Sequence, residues 1–264
     1  MRYGLSVANF GTYADPARFV ELARAAEAAT WEAVFVWDHL AYTWSRARAT
    51  ADPWILLAAA AGATERVLLG TLVAALPRHR FQDVALAVAT LDRLSGGRMV
   101  FGCGLGGNER EFAAFGEETD ERVRARKLEQ SLEVLRKLWS GERVGDVHLL
   151  PLPLQQPLPI WIGGNAPRAL RRAARFDGWA ANTAAPDRMT VTPDELAEKV
   201  EIIFRARSDN ARFDVTAQGH TQPGENELPA AYARAGATWW FESIHDERGD
   251  FDAMLHRVAA GPPR

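Results

Sequence analysis

Cysteine is nearly absent from this sequence. Cys103 is the single one in 264 residues, so an intrachain disulfide and a cysteine-built zinc cluster are both excluded, and the count suits a reducing cytoplasm. Long apolar runs are missing too. The longest, Ile55 to Ala63, falls well short of the ~20 residues that span a bilayer. The opening Met1-Arg2-Tyr3-Gly4-Leu5-Ser6 has no apolar region ahead of a small-residue cleavage site, so no secretory leader is expected and the cytoplasm is the expected location. Charge of one sign is scarce: the formal net charge is −3 and the pI about 6.1. That balance gives no electrostatic case for nucleic acid or an anionic membrane as a partner. The six histidines show no H-E-x-x-H or comparable spacing, and no metal site is expected.

What is present is an ordinary globular composition, 47% hydrophobic and 25% charged, in a chain long enough to bury roughly 75% of its unfolded surface. Short β-like runs alternate with helix-like stretches. The strand candidates are Tyr3–Ala8, Ala33–Asp38, Val67–Val73, Met99–Gly104, Pro159–Gly163, Gly178–Asn182, Phe213–Ala217 and Thr238–Ile244. Most are near-continuous apolar runs, as parallel strands covered on both faces should be. Asp15-Pro16, Asp52-Pro53 and Thr192-Pro193 each put a capping side chain before a proline at the first helical position. Thr192 with Glu195 also fits a capping box. Leu128, Leu132, Leu135 and Trp139 form one apolar stripe on a helix before Gly141. Further helices are expected at about 81–94, 167–176, 226–236 and 250–260, and a loop or small hairpin over the proline-rich stretch from Gly141 to Pro159. Eight βα units in one domain, residues 1–264, predict a (β/α)8 TIM barrel; an open doubly wound sheet is the alternative.

In such barrels function collects at the C-terminal ends of the strands. Asp38-His39, after the second strand, is the sharpest titratable pair, because a histidine there can move a proton near neutral pH. A partly buried histidine satisfied by a neighbour is the alternative. Gly102-Cys103-Gly104-Leu105-Gly106-Gly107 leaves the fourth strand; its glycines suit either close approach to a ligand or a plain turn. Gly163-Gly164-Asn165 with Arg168 suits an anion, or a short turn with Asn165 as N-cap. Cys103 reads as a small buried side chain, and most of the nine tryptophans as core or pocket wall.

Together these strand ends resemble the bacterial luciferase-like superfamily of flavin-dependent oxidoreductases. The likeness runs from about residue 3 to 182. It is carried by Trp37-Asp38-His39, by Leu69-Gly70-Thr71-Leu72-Val73, and by Leu91-Asp92-Arg93-Leu94-Ser95-Gly96-Gly97-Arg98, the most specific stretch. Gly102-x-Gly104-x-Gly106 with Glu111-Phe112, and Pro159-Ile160-Trp161-Ile162-Gly163-Gly164, complete it.

The resemblance implies a small-molecule enzyme with FMN or the deazaflavin coenzyme (F-420) at the barrel mouth, often in a homodimer. It implies His39 as the catalytic proton donor or oxyanion partner and Asp38 as a cofactor-side group. Leu72-Val73 would be a non-proline cis peptide against the ring. Gly104, Gly106 and Gly107 would line the pocket, while Gly163, Gly164 and Asn165 would receive the phosphate end. Asn9 and Trp44 are assigned to the substrate pocket. With FMN, a separate reductase would supply reduced flavin for monooxygenation; with the deazaflavin, hydride would pass to or from an organic substrate. A non-catalytic flavin-binding barrel is the remaining alternative. Gly107 stands where the sugar-phosphate dehydrogenase branch has a catalytic glutamate.

Overall fold

The computed structural model describes residues 1–41 and 48–263. Eight parallel strands run along the chain: β1 (Arg2–Val7), β2 (Ala33–Val36), β3 (Leu68–Thr71), β4 (Met99–Gly104), β5 (Ile160–Gly163), β6 (Gly178–Ala180), β7 (Asp214–Gly219) and β8 (Trp239–Ile244). Each pairs with the next, Gly4 opposite Ala33, Val36 opposite Thr71 and Leu69 opposite Met99 among them. β8 returns to β1 with Arg2 opposite Trp239. The sheet is therefore a closed barrel in one domain, not an open doubly wound sheet.

The helices around it are α1 (Pro16–Ala28), α2 (Pro53–Ala63), α3 (Phe81–Leu94), α4 (Glu109–Ala114), α5 (Glu121–Trp139), α6 (Pro167–Ala173), α7 (Pro193–Ala206), α8 (Glu227–Arg234) and α9 (Phe251–Ala259). The three Xaa-Pro starts cap as expected. Asp15 accepts from the Ala17 N–H, Asp52 from Trp54 and Ile55, and Thr192 forms the capping box with Glu195. On α5, Leu128, Leu132, Leu135 and Trp139 are all buried, each contributing about 1.5–3 kcal/mol relative to exposure. The stretch after α5 contains a small bridge between Val144 and Val147. α4 was not foreseen: six residues after a glycine-rich loop are too few to show a helical period.

The motif most specific to the resemblance holds the opposite end of the barrel from the expected site. Asp92 is fully buried and accepts from the Gln155 backbone at 3.0 Å and side chain at 2.6 Å. The Arg98 guanidinium donates to the carbonyls of Ala61, Thr64, Val67 and Ser95, joining α2, α3 and the starts of β3 and β4. Gly96 and Gly97 make that turn at φ 70° and 84°, a region glycine enters without a steric penalty.

Inside the barrel, Phe35, Trp161, Trp239 and Phe241 pack ring against ring, with Phe35 and Phe241 centroids 4.9 Å apart. This aromatic plug fills the interior and leaves the space for a ligand at the C-terminal ends of the strands. No described helix is long and apolar enough to cross a membrane.

Candidate active site

A cavity of about 920 Å³ opens at those ends, within the ~300–1,000 Å³ usual for small-molecule sites. Every strand beyond β1 contributes wall. Trp37, Asp38 and His39 come from β2, and Leu72, Val73 and Ala75 follow β3. Gly104 to Asn108 and Glu111 follow β4, and Gly163, Gly164, Asn165 and Arg168 follow β5. Ala180 to Asn182 close β6, Gln218 and His220 follow β7, and Ser243 and His245 follow β8.

β3 ends in a cis peptide between Leu72 and Val73, at the position expected. The chain then pairs Ala74 and Ala75 with Cys103 and Gly104. Neighbouring glycines explain how the backbone fits there. A Cβ on Gly102 would overlap the Thr71 carbonyl oxygen, and one on Gly163 or Gly104 would stand 2.9 or 3.1 Å from a Val73 methyl. Those vacancies are filled by protein. Gly107 differs, because a Cβ there would meet nothing within 4 Å, so its bare backbone faces the cavity.

Beside this floor lies a buried charge network. Arg78 donates to Asp38 Oδ1 at 2.7 Å and to Glu111 Oε2 at 2.9 Å, with all three side chains only 2–3% exposed. His79 Nε2 sits 2.7 Å from Asp38 Oδ2, which also accepts the Ala75 N–H. His39 Nδ1 sits 3.0 Å from Glu111 Oε1, which also accepts the Ala41 N–H. Burial alone would raise both carboxyls, but the hydrogen bonds and charges of His79 and Arg78, and of His39 and Arg78, hold Asp38 and Glu111 below the ordinary carboxylate range. An ionised carboxylate only accepts. His39 therefore carries its proton on Nδ1, which makes Nε2 the basic nitrogen.

A second pair faces the same cavity. The Nε2 atoms of His220 and His245 are 3.3 Å apart, so one ring donates and the other accepts. Burial first, then His220 and the guanidiniums of Arg248 and Arg48, push His245 down to about 3. Burial with Arg248 lowers His220 as well, so both rings are neutral. Among the described residues no group of three or more metal-ligating side chains converges.

Asn9 lies elsewhere than expected. It is fully buried and its amide is bonded to the backbone of His39 in both directions and to the Ala51 carbonyl. It fixes the β2 end from behind the cavity wall, because a short side chain at the end of β1 reaches the neighbouring backbone first. Asn165 is not an N-cap: Ala166 holds that place, and the Asn165 amide clamps the Asn182 backbone, tying β5 to β6. Trp44 lies outside the described residues. Cys103 is buried and burial pushes its thiol up. Asp38 lines the cavity with both oxygens already engaged inside the protein. Residues not foreseen as site groups are Arg78, Glu111, His220 and His245. Glu111 stood inside a quoted motif, whereas nothing in the local pattern marks Arg78.

The residues around this cavity define a class of protein, and comparison with known proteins identifies it. The luciferase-like monooxygenase family matches residues 1–259, and the chain belongs to it, an oxidoreductase family. It is 34% identical over 206 residues to an F420-dependent glucose-6-phosphate dehydrogenase of Nakamurella multipartita, covering 72% of this chain and 58% of that one. It is 33% identical over 176 residues to an F420-dependent hydroxymycolic acid dehydrogenase of Mycobacterium tuberculosis, covering 62% and 48%. The match thus spans about half the length of these curated relatives. In fold it is similar to an F420-dependent secondary alcohol dehydrogenase in complex with an F420–acetone adduct, with a TM-score of 0.76, 18% identity, and 100% and 99% of the two chains covered.

Proposed function

We propose that this chain is a deazaflavin-dependent dehydrogenase that transfers hydride between the coenzyme and a small alcohol or carbonyl compound, with His39 as its proton-transfer group. The observation that carries the reading is the His39–Glu111 pair at the cavity wall. It supplies a basic ring nitrogen beside an apolar floor, which is what alcohol oxidation requires.

The cavity fits the coenzyme. Leu72, Val73, Ala75 and Ala180 give an apolar floor for a flat ring, while Arg168 and the Gly163–Asn165 backbone lie on the side suited to a phosphate. When bound, the deazaflavin supplies a two-electron hydride acceptor or donor. The protein supplies the rest. Trp37 and His39 border the space beside the floor, so a substrate hydroxyl bound there would lie beside the His39 ring. With the coenzyme bound as hydride acceptor, His39 Nε2 would take the substrate's hydroxyl proton, and the Glu111 carboxylate would balance the imidazolium that forms. Arg78 keeps Glu111 ionised and fixed, and Asn9 holds the His39 backbone from the other side. In the reverse direction the same proton returns to the alkoxide oxygen. Glucose 6-phosphate is not favoured as the substrate, because Gly107 presents no carboxylate.

The test is His39→Ala. Turnover with short secondary alcohols should fall by about 10²–10⁴-fold, while deazaflavin affinity changes less than about threefold. Intact turnover at an unchanged melting temperature would remove His39 from the chemistry. Titration with FMN and with the deazaflavin separates the cofactors. Tight binding of FMN alone would replace hydride transfer with oxygen chemistry, and binding without any turnover would leave a flavin-binding barrel.

A further inference from the structure

Most polar side chains around the cavity are engaged within the protein. Trp37 Nε1 donates to Ser6 Oγ at 2.7 Å, Ser6 Oγ to Gln218 Oε1 at 3.2 Å, and Gln218 Nε2 to Asn182 Oδ1 at 3.0 Å. That chain takes the Trp37 N–H and both ends of the Gln218 amide. His220, Ser243 and His245, at the ends of β7 and β8, differ. The two rings hydrogen-bond to each other, Nε2 to Nε2 at 3.3 Å, and neither Nδ1 nor the Ser243 hydroxyl has a hydrogen-bond partner among the described residues. Ser243 and His245 are only 3% and 2% exposed, yet both line the cavity with His220. The charges behind them are paired: Arg248 donates to Glu242 at 2.7 Å, and Arg48 to Asp246 at 3.2 Å.

Two neutral rings that share one proton between their Nε2 atoms leave one bare Nδ1 and one Nδ1–H. With the Ser243 hydroxyl, this part of the wall offers donors and acceptors but no net charge. A buried polar atom without a partner is costly, so a ligand that supplies one is held in preference to a ligand that does not. A hydroxyl both donates and accepts through one oxygen, which suits the pair. A carboxylate or phosphate would meet uncharged rings and arginines whose charges are already balanced. Trp37 contacts both His39 and His245, with ring centres 6.1 and 5.8 Å from its own, so a few carbon atoms bridge from one histidine to the other. We infer that His220, Ser243 and His245 form a specificity subsite for a second, uncharged hydroxyl of the substrate, set a few carbon atoms from the reacting carbinol. The inference rests on the dehydrogenase reading above and deepens it by naming the substrate class, a diol rather than a plain or an anionic alcohol.

The experiment measures kcat and KM, with the deazaflavin at saturation, for secondary alcohols of five to seven carbons. Each is compared in three forms: plain, with a hydroxyl on the terminal carbon farthest from the carbinol, and with a carboxylate in that place. One or two hydrogen bonds between neutral groups, in a cavity open to water, should give the hydroxylated form of best-fitting length about tenfold higher kcat/KM than its plain parent, nearly all of it in KM. The carboxylate form should do no better than the parent. His245→Phe keeps a flat ring without its nitrogens and should bring the ratio of hydroxylated to plain substrate below about twofold. Ser243→Ala, a change too small to endanger the fold, should lower that ratio about threefold, and melting temperatures verify that each variant compared is folded. Turnover of the whole series with no preference for the hydroxylated form would overturn the subsite and leave the dehydrogenase reading intact. No turnover of any alcohol would overturn both. A hydroxyl preference that both variants keep, or a preference for the carboxylate, would place recognition elsewhere and equally refute the inference.

Discussion

Replacing Glu111 with glutamine tests the network at its most constrained point. The carboxylate has two jobs at once: Oε1 accepts from His39 Nδ1 and the Ala41 N–H, and Oε2 accepts from Arg78. An amide has one oxygen. With that oxygen toward His39 and Ala41, the amide NH₂ faces the Arg78 guanidinium, donor against donor. Turned over, the NH₂ faces the Ala41 N–H and forces His39 into its other tautomer, which puts the proton on Nε2 and removes the base. Either orientation leaves a buried guanidinium or a backbone donor unsatisfied.

Breaking one arm of a buried ion pair costs ~3–5 kcal/mol, and Asp38 remains on Arg78, so ~2–4 kcal/mol is the expected loss. At about 2 °C per kcal/mol for a chain of this size, the melting temperature should fall by roughly 4–8 °C at neutral pH. Glu111 and Asp38 have folded pKa values held below the ordinary range. As pH falls, the unfolded chain takes up those protons first. The network's contribution is therefore complete above about pH 5 and is lost as pH drops through the folded values. The gap between native protein and Glu111→Gln should accordingly narrow as pH approaches about 3.5. Turnover should drop about 100-fold, at the low end for loss of an acid–base group, with KM for the alcohol changing less than threefold. Thermal scans across pH and steady-state kinetics on one preparation check both. A gap under about 1 °C that is flat with pH, together with intact turnover, would refute the account of Glu111.

Gly102→Ala should lower the melting temperature sharply, because its Cβ has no space beside the Thr71 carbonyl, whereas Gly107→Ala should leave stability unchanged and weaken only cofactor binding; equal effects on stability would contradict the assignment of these glycines. Arg98→Ala removes four backbone carbonyls' partner and should destabilise by ~2–4 kcal/mol, with cofactor affinity unaltered in the protein that remains folded. His245 has a folded value of about 3 against an ordinary 6.5, so the unfolded state gains protons first below pH 6.5 and stability falls with acid at up to ~1.4 kcal/mol per pH unit. His245→Gln should make the fall of melting temperature between pH 6.5 and 5 shallower, leaving the part that the likewise lowered His220 contributes, above the window of the carboxylates, and an unchanged slope there would show that His245 titrates normally.

The barrel was legible because each signal for it is local. Met99–Gly104 reads as a strand from its own apolar run, and α1, α2 and α7 announce themselves by an acceptor side chain before a proline. α3 falls on the expected residues 81–94 for the same reason: an apolar face that repeats with the helical period. α4 does not, since six residues hold less than two turns. Within the site, Asp38 and His39 could be singled out because they share one strand end. Their partners come from other strands: Arg78 lies 40 residues beyond Asp38, and Glu111 lies 72 beyond His39. No periodicity links such positions; only the closure of β2, β3 and β4 side by side brings them together.

Asn9 shows the converse limit. Its place at the end of β1 suggested a ligand contact, yet the same place puts it next to the backbone of His39, and a buried amide takes the nearest unsatisfied N–H and C=O groups. Arg78 and Asn9 therefore act on opposite sides of one short segment. Arg78 fixes Asp38 and Glu111 from the β3 side, and Asn9 fixes the His39 backbone from the β1 side. A histidine held at its backbone by an amide and at Nδ1 by an ionised carboxylate has little freedom left to lose when a substrate binds. The charge network thus does for His39 what a rigid element would do for a loop residue: it makes the position of Nε2 a property of the barrel's register.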